Sequence, residues 1–222
     1  MRCRVVAEVN LLRSLPATVR DVAARGESKT PERIAVACEF GEEYFDGPRE
    51  FGYGGYRYDG RWIPVARDIV RHFNLKPGDR VLDVGCAKGF LVKDLLSVCP
   101  GLEAFGLDIS EYAILHCEPE TIGRLHLGSA THLPFPSRSF AAVISINTIH
   151  NLAAEDAVLA LREVERLAPG RGFVQVDAYH TRAQRDVFMQ WVLTAKCHDY
   201  PAGWYRLFER AGYTGDWWWT IA

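Results

Sequence analysis

The chain has 222 residues, 48% of them hydrophobic and 24% charged, with a formal charge of −2. That length and composition suit one domain with a modest appendage and a substantial core. The near-neutral balance, with no Lys/Arg block, gives no electrostatic pull towards nucleic acid or an anionic membrane, and no apolar stretch approaches the ~20 residues of a membrane span.

The first residues carry Glu8, Arg13 and Arg20 without a continuous apolar signal region. Six cysteines (Cys3, Cys38, Cys86, Cys99, Cys117 and Cys197) are scattered with no C-x-x-C pair. This argues against a zinc site or a disulfide framework, and for reduced thiols in the cytoplasm.

Residues 1–63 read differently from the remainder, 64–222, and are expected to form a separate helical segment. Ala17 to Arg25 has a helical pattern. Thr30 caps a second helix, with Pro31 in its first turn, that should run to near Tyr44. A long glycine- and aromatic-rich loop follows, from Glu43-Tyr44-Phe45-Asp46-Gly47 through Phe51 to Trp62. Its rings supply flat apolar walls, phenol donors and surfaces attractive to a cation, and its glycines allow a tight or mobile path. Two readings stand: a lid placing Tyr53, Tyr56 or Tyr58 against a substrate, or a loop packed on the sheet edge.

Beyond residue 64 a helix through Val65–Val70 ends before Lys76-Pro77-Gly78. Strand and helix patterns then alternate: strands at 80–84, 103–107, 124–128, 141–146 and 172–177, helices at 88–98, 110–117 and 153–167. Such alternation predicts a doubly wound parallel sheet. Near the end, Gln190 to Ala195 reads as a strand, Gly203 to Ala211 as a helix and Trp217 to Ile221 as a last strand. Alternate rings of Trp217-Trp218-Trp219 would cover both faces of that edge.

The run Val81-Leu82-Asp83-Val84-Gly85-Cys86-Ala87-Lys88-Gly89-Phe90 joins a buried strand to a glycine turn and a helix. Asp108 follows 23 residues after Gly85, at the end of the next strand, where an acid can accept hydrogen bonds from ribose hydroxyls. A dinucleotide site would read G-x-G-x-x-G. Here the glycines fall as G-x-x-x-G, with Ala87 in the middle position, and Asp83 would repel a pyrophosphate but suits a cationic amino-acid group. The series Asp83, Gly85, Gly89, Asp108 resembles the first two motifs of class I S-adenosylmethionine-dependent methyltransferases, in their small-molecule, type 11-like branch. Gly128-Ser129-Ala130-Thr131-His132-Leu133-Pro134-Phe135 resembles the family's adenine-side loop. Leu167-Ala168-Pro169-Gly170-Arg171-Gly172-Phe173 resembles its turn into the fifth strand. Ala87 departs from a common glycine, and Ser129 stands where an acid or amide often meets the adenine.

The resemblance implies an α/β three-layer sandwich with a mostly parallel, seven-stranded sheet whose final strand is antiparallel. It implies S-adenosylmethionine as cofactor. Asp83, Gly85 and Gly89 would cradle its amino-acid end, Asp108 its ribose, and Ile109 and Ala130 its adenine, with Cys86 and Asn147 as further cofactor contacts. The aromatic loop, Ile144–Leu152 and Gly212–Trp219 also look like a narrower bacterial group associated with surface-sugar pathways. The acceptor is then a small polar metabolite, a sugar or sugar-nucleotide hydroxyl rather than an amine. Rivals are a nicotinamide dehydrogenase, a nucleic-acid or protein methyltransferase, and a cofactor-binding protein without turnover.

The fourth strand ends in Ile146-Asn147-Thr148-Ile149-His150-Asn151. His150 would lie at the crevice as a general base, or cap the next helix together with Asn151. Asp177 and His180, at the end of the fifth strand, are candidate substrate contacts. Their spacing with His150 is not diagnostic of a metal site, and none is assigned. The sequence leaves the oligomeric state open.

Overall fold

The computed structural model describes residues 7–16 and 21–221. Cys3, Arg20 and the opening residues of the helix expected over Ala17–Arg25 lie outside the described residues.

Six strands form the sheet among the described residues: β1 (Arg80–Val84), β2 (Glu103–Asp108), β3 (Leu125–Leu127), β4 (Ala142–Ile146), β5 (Gly172–Asp177) and β6 (Asp216–Thr220). Their order is β3-β2-β1-β4-β5-β6 and every pairing is parallel. This corrects the expectation of seven strands ending in an antiparallel one. The last strand pairs directly and in parallel with β5, Phe173 opposite Asp216 and Asp177 opposite Thr220. A parallel return needs a long crossover, and two helices supply it: α8 (Arg182–Trp191) and α9 (Pro201–Ala211).

The strand expected at Gln190–Ala195 is likewise corrected, since its first two residues end α8. That helix starts with a reciprocal cap, in which the Thr181 side chain accepts from the Gln184 N–H while the Gln184 side chain reaches back to the Thr181 backbone.

Alternation along the strands divides the core. Leu82, Val84, Val143, Val174 and Val176 face one side, against α7 (Ala154–Leu167) and α9 through Leu161, Val164, Trp204 and Phe208. Val81, Ala104, Ala142, Ile144 and Phe173 face the other, against α4 (Ile63–Phe73) and α5 (Phe90–Val98) through Ile69, Leu91 and Leu95. Trp217 and Trp219 join the first cluster and Trp218 the second, following the period-2 pleat.

The chain's first part is woven into this body. The Val9 N–H donates to the Trp217 carbonyl and Glu8 bridges Trp217 in parallel, so residues 7–9 lie along the β6 edge. Leu11 is buried with α4 and α5. Helix α1 (Val22–Ser28) packs on α8. The second helix stops well short of Tyr44: α2 (Pro31–Cys38) ends before Phe40, whose φ of 51° is left-handed, and a single turn, α3 (Glu42–Phe45), follows. That break turns the chain towards the carboxyl edge of the sheet. There the Phe40 carbonyl accepts from Ser110 Oγ, which also caps α6 (Glu111–Leu115).

Among the described residues no helix is long and apolar enough to cross a membrane, and no group of His, Cys, Asp and Glu is arranged to hold a metal ion. Cys38, Cys86, Cys99, Cys117 and Cys197 are free thiols.

Candidate functional site

The turn after β1 is built on left-handed backbone at Gly85 (φ 82°), Ala87 (φ 49°) and Gly89 (φ 79°). Ala87 thus takes up the conformation that a glycine adopts without steric penalty, at a cost of about 1–2 kcal/mol. Two features hold the turn. The N–H groups of Gly85 and Cys86 both donate to the Leu107 carbonyl, at 2.7 and 3.2 Å. The Asp108 carboxylate accepts from the Ala87 N–H at 2.7 Å and from the Ser110 N–H at 2.8 Å, one oxygen each. Asp108 therefore fastens the two strand ends together. Burial raises its carboxyl above the usual range, and the backbone donors work against that rise.

These strand ends open into a cavity of about 180 Å³. Its floor is Gly85 and Ala87 after β1, Asp108 and Ile109 after β2, and Gly128, Ser129 and Ala130 after β3. Ile146, Asn147, Thr148, Asn151 and Leu152 continue it after β4, and Lys196 stands at the side. Phe40, Tyr44, Phe45 and Tyr53 form an aromatic wall opposite. Ile109 is 60% exposed, a large apolar side chain left open for a ring to cover.

The wall is anchored at both ends. Asp46 accepts from the Tyr112 hydroxyl at 2.7 Å and forms an ion pair with buried Lys88, which ties the wall to the glycine turn and to α6. On the other side the Arg25 guanidinium donates to the carbonyls of Arg49, Glu50 and Gly52. Tyr53 and Tyr56 lie 4.3 Å apart by ring centroid, and Tyr56 stacks on Phe90 at 4.5 Å.

Of the residues expected at the site from sequence, Gly85, Asp108, Ile109, Ala130, Asn147 and Tyr53 line this cavity. Others do not. Cys86 is buried, and its Sγ lies where a side chain on Gly106 would have to go. Gly89 caps α5 against Thr121 and Leu125, a packing role. Asp83 is buried beneath the turn; burial first and the Asp108 charge second push its carboxyl up to about 8. Tyr56 packs behind the wall. Tyr58 donates to Asp94 on α5 at 2.6 Å, which pushes its phenol up to about 12.

The base role expected of His150 meets a different placement. His150 is buried and turned away from the cavity. Its Nδ1 accepts from the Asp177 N–H at 3.0 Å, while an Asp177 carboxylate oxygen lies 3.2 Å from the same nitrogen. The backbone N–H is fixed by β5 and holds the ring orientation. Asp177 is itself buried, its carbonyl accepting from the Trp204 indole at 2.8 Å. His180 sits exposed at the start of α8, its N–H donating to Gln184. His150 and Asp177 thus link the ends of β4 and β5, and none of His150, Asp177 and His180 lines the cavity. His150→Gln is accordingly expected to leave single-turnover methyl transfer within a few-fold of the parent and to lower stability by about 1 kcal/mol. A loss of ~10²–10⁴ in that rate would restore the base role.

Sequence reasoning assigned no site role to Thr148, Leu152, Lys196 or Phe40, and carried Tyr44 and Phe45 only as part of the aromatic loop. Thr148 faces Gly85 so closely that any side chain on the glycine would overlap it. No periodicity signals such loop-to-loop contacts.

Residues 82–176 match the family described as methyltransferase domain. The demethylmenaquinone methyltransferase of Symbiobacterium thermophilum is 33% identical over 128 residues, 54% of this chain and 50% of the relative. The sterol 24-C-methyltransferase of Gibberella zeae is 32% identical over 46% of this chain and 28% of its own. The fatty-acid O-methyltransferase of Mycolicibacterium smegmatis is 35% identical over 46% and 38%. The chain thus spans half or less of the length of these curated relatives.

Among solved structures, a chain of the complex between the Haloferax volcanii Trm112 methyltransferase activator and a methyltransferase superposes with a TM-score of 0.55 at 24% identity, covering 66% of each. The YcgJ protein of Bacillus subtilis does so at 0.52 and 19%, again covering 66% of each. These likenesses establish the fold, an α/β Rossmann-like fold on a parallel sheet. Residues 82–176, less than half of the chain, match a methyltransferase domain, and the methyl donor such a domain implies is S-adenosylmethionine.

Proposed function

We propose, for a chain whose residues 82–176 match a methyltransferase domain, that it transfers a methyl group from S-adenosylmethionine to a small molecule bound at the carboxyl edge of the sheet. The observation that carries this reading is the tie between Asp108 and the Gly85–Gly89 turn at the mouth of an aromatic-walled cavity.

The residues present fit that cofactor. The left-handed turn brings backbone close to the cavity without side chains in the way, as the amino-acid end requires. Asp108 uses a lone pair of one oxygen for the Ala87 N–H of the turn and of the other for the Ser110 N–H after β2, and keeps others for ribose hydroxyls. Exposed Ile109 and, across from it, Ala130 offer apolar cover for the adenine. When bound, the cofactor supplies an electrophilic methyl group on a sulfonium. The protein's part is to hold an acceptor lone pair in line with the breaking bond and to keep water out. With His150 turned away, proximity and desolvation carry the rate, and the proton of a hydroxyl acceptor is lost to water at the cavity mouth once the bond to the methyl group has formed.

The aromatic wall acts as a lid in this reading. The cavity's ~180 Å³ falls below the ~300–1,000 Å³ of small-molecule sites, so the wall must yield to admit cofactor and acceptor together. Glycines with positive φ at Gly54 and Gly55 offer the flexible points. For the acceptor, the names of the relatives speak of quinone, sterol and fatty-acid chemistry. The sugar hydroxyl rests on the sequence resemblance alone, and the four rings of the wall suit a flat or apolar body better.

Asp108→Ala tests the core of the proposal. The loss of a charged acceptor is worth about 1.5–3 kcal/mol, so affinity for S-adenosylhomocysteine, measured by calorimetry, should fall at least about tenfold while the fold persists. Unchanged affinity would remove the cofactor assignment.

A further inference from the structure

The cavity has two charged side chains in its lining, Asp108 and Lys196. The two oxygens of Asp108 each already hold a backbone donor. Lys196 is in the opposite condition. Among the described residues no carboxylate pairs with its ammonium, and its side chain is exposed at the cavity.

Its position is nonetheless firmly built. The N–H groups of Lys196 and Cys197 both donate to the His150 carbonyl at 2.9 Å. Two residues earlier, the Thr194 hydroxyl donates to Asn151 Oδ1 at 2.9 Å. Three hydrogen bonds thus fasten the segment between α8 and α9 onto the turn after β4, whose Asn151 and Leu152 line the same cavity. A flexible cation on a fixed backbone, facing a partly apolar site, is suited to a mobile anion. The buried acids Asp83 and Asp108 stand at the ends of β1 and β2 and pair with nothing on the Lys196 side.

We propose that Lys196 is a specificity-determining residue and that the methyl acceptor carries a carboxylate or phosphate, which pairs with the Lys196 ammonium while its body lies against the aromatic wall. The inference rests on the methyltransferase reading above and deepens it. Lysine binds either anion as a point charge, so both acids fall within the proposal. The acceptor's reacting atom is then held at a fixed distance from its anionic anchor, which gives one end of the molecule to recognition and the other to chemistry.

The test uses matched pairs on the protein loaded with S-adenosylhomocysteine: 4-hydroxybenzoate against 4-hydroxybenzamide, and phenyl phosphate against phenol. Calorimetry is run on the parent and on Lys196→Gln, which keeps length and removes charge. The expected result is that an acid binds the parent about tenfold or more tightly than its neutral partner, as a charge-assisted contact allows. That preference should fall below about twofold in Lys196→Gln, and rising salt should weaken it in the parent. Neutral partners binding as well as the acids, or a preference that survives the substitution, overturns the proposal.

The cofactor has a carboxylate of its own, and a second arm separates that source. Lys196→Gln should bind S-adenosylhomocysteine as the parent does. If it weakens S-adenosylhomocysteine but not 5′-methylthioadenosine, which lacks the amino-acid end, the lysine serves the cofactor and the acceptor assignment falls. Failure of S-adenosylhomocysteine to bind the parent would instead remove the methyltransferase reading itself.

Discussion

The Asp83→Asn protein is expected to be more stable than the parent above about pH 8, and to lose most of the parent's decline in stability between about pH 4 and pH 8. Asp83 is buried under the glycine turn, and no hydrogen bond reaches its carboxyl among the described residues. Burial and the neighbouring Asp108 raise it from about 3.9 in the unfolded chain to about 8. In that window the folded state holds a proton that the unfolded state has released, so stability falls as pH rises. At about 1.4 kcal/mol for each pH unit, the sum reaches several kcal/mol by the time both states are ionised. Asparagine keeps the shape and removes the titration. Urea unfolding across this range measures the two slopes, and equal slopes would show that Asp83 is not the group responsible.

The same residue makes a second, independent prediction. Asp83 lies beneath the glycine turn, so a cation bound on that turn favours its ionised form without touching it, and binding near neutral pH should release a proton. Calorimetry of S-adenosylmethionine binding in buffers of different ionisation enthalpy counts it. The asparagine variant should release none and bind more weakly.

Gly85→Ala should abolish measurable binding of S-adenosylhomocysteine and lower the melting temperature. Two penalties combine. Left-handed backbone at φ 82° costs an alanine about 1–2 kcal/mol. The larger penalty is steric, because the new methyl would overlap the Thr148 side chain. Adding Thr148→Gly removes the overlap, so the double variant should regain stability to within the backbone penalty. Parent-like binding by the single variant would mean that the turn does not hold the cofactor. Gly89→Ala offers the contrast. Its Cβ would come within 2.9 Å of Thr121 Oγ1 and 3.0 Å of Leu125, behind the turn. It should lower stability yet spare the affinity of the molecules that fold.

The glycine turn, Asp108 and the first five strands were legible because each rests on a local rule. Hydrophobic runs of strand length, left-handed glycines and an acid at a fixed offset need no tertiary knowledge. The cap of α8 was also written in the chain, as Thr181 followed three residues later by Gln184, and went unread. Other features had no local signal. The parallel run of β6 depends on what fills the place beside β5, and the orientation of His150 on a single backbone N–H from the next strand. Lys196 reaches the cavity only because its segment is tied to the turn after β4. The break at Phe40, which aims the wall, is a non-glycine residue in left-handed backbone, and composition gives no warning of it.

The wall and the anchors that hold it come largely from one uninterrupted stretch. Arg25 grips the carbonyls at 49–52, Phe40, Tyr44, Phe45 and Tyr53 supply the rings, and Asp46 docks the whole on Lys88 and Tyr112. Besides Lys88 and Tyr112, the body of the fold meets this stretch at Ser110, which donates to the Phe40 carbonyl, at Phe90 and Asp94, which meet Tyr56 and Tyr58, and through packing of α1 on α8. Such an arrangement makes the wall separable from the turns at the strand ends. Exchanging residues 21–62 for the matching stretch of a homologue, with Lys88, Ser110 and Tyr112 kept, would transplant the wall as a cassette while leaving the strand-end turns and Lys196 in place.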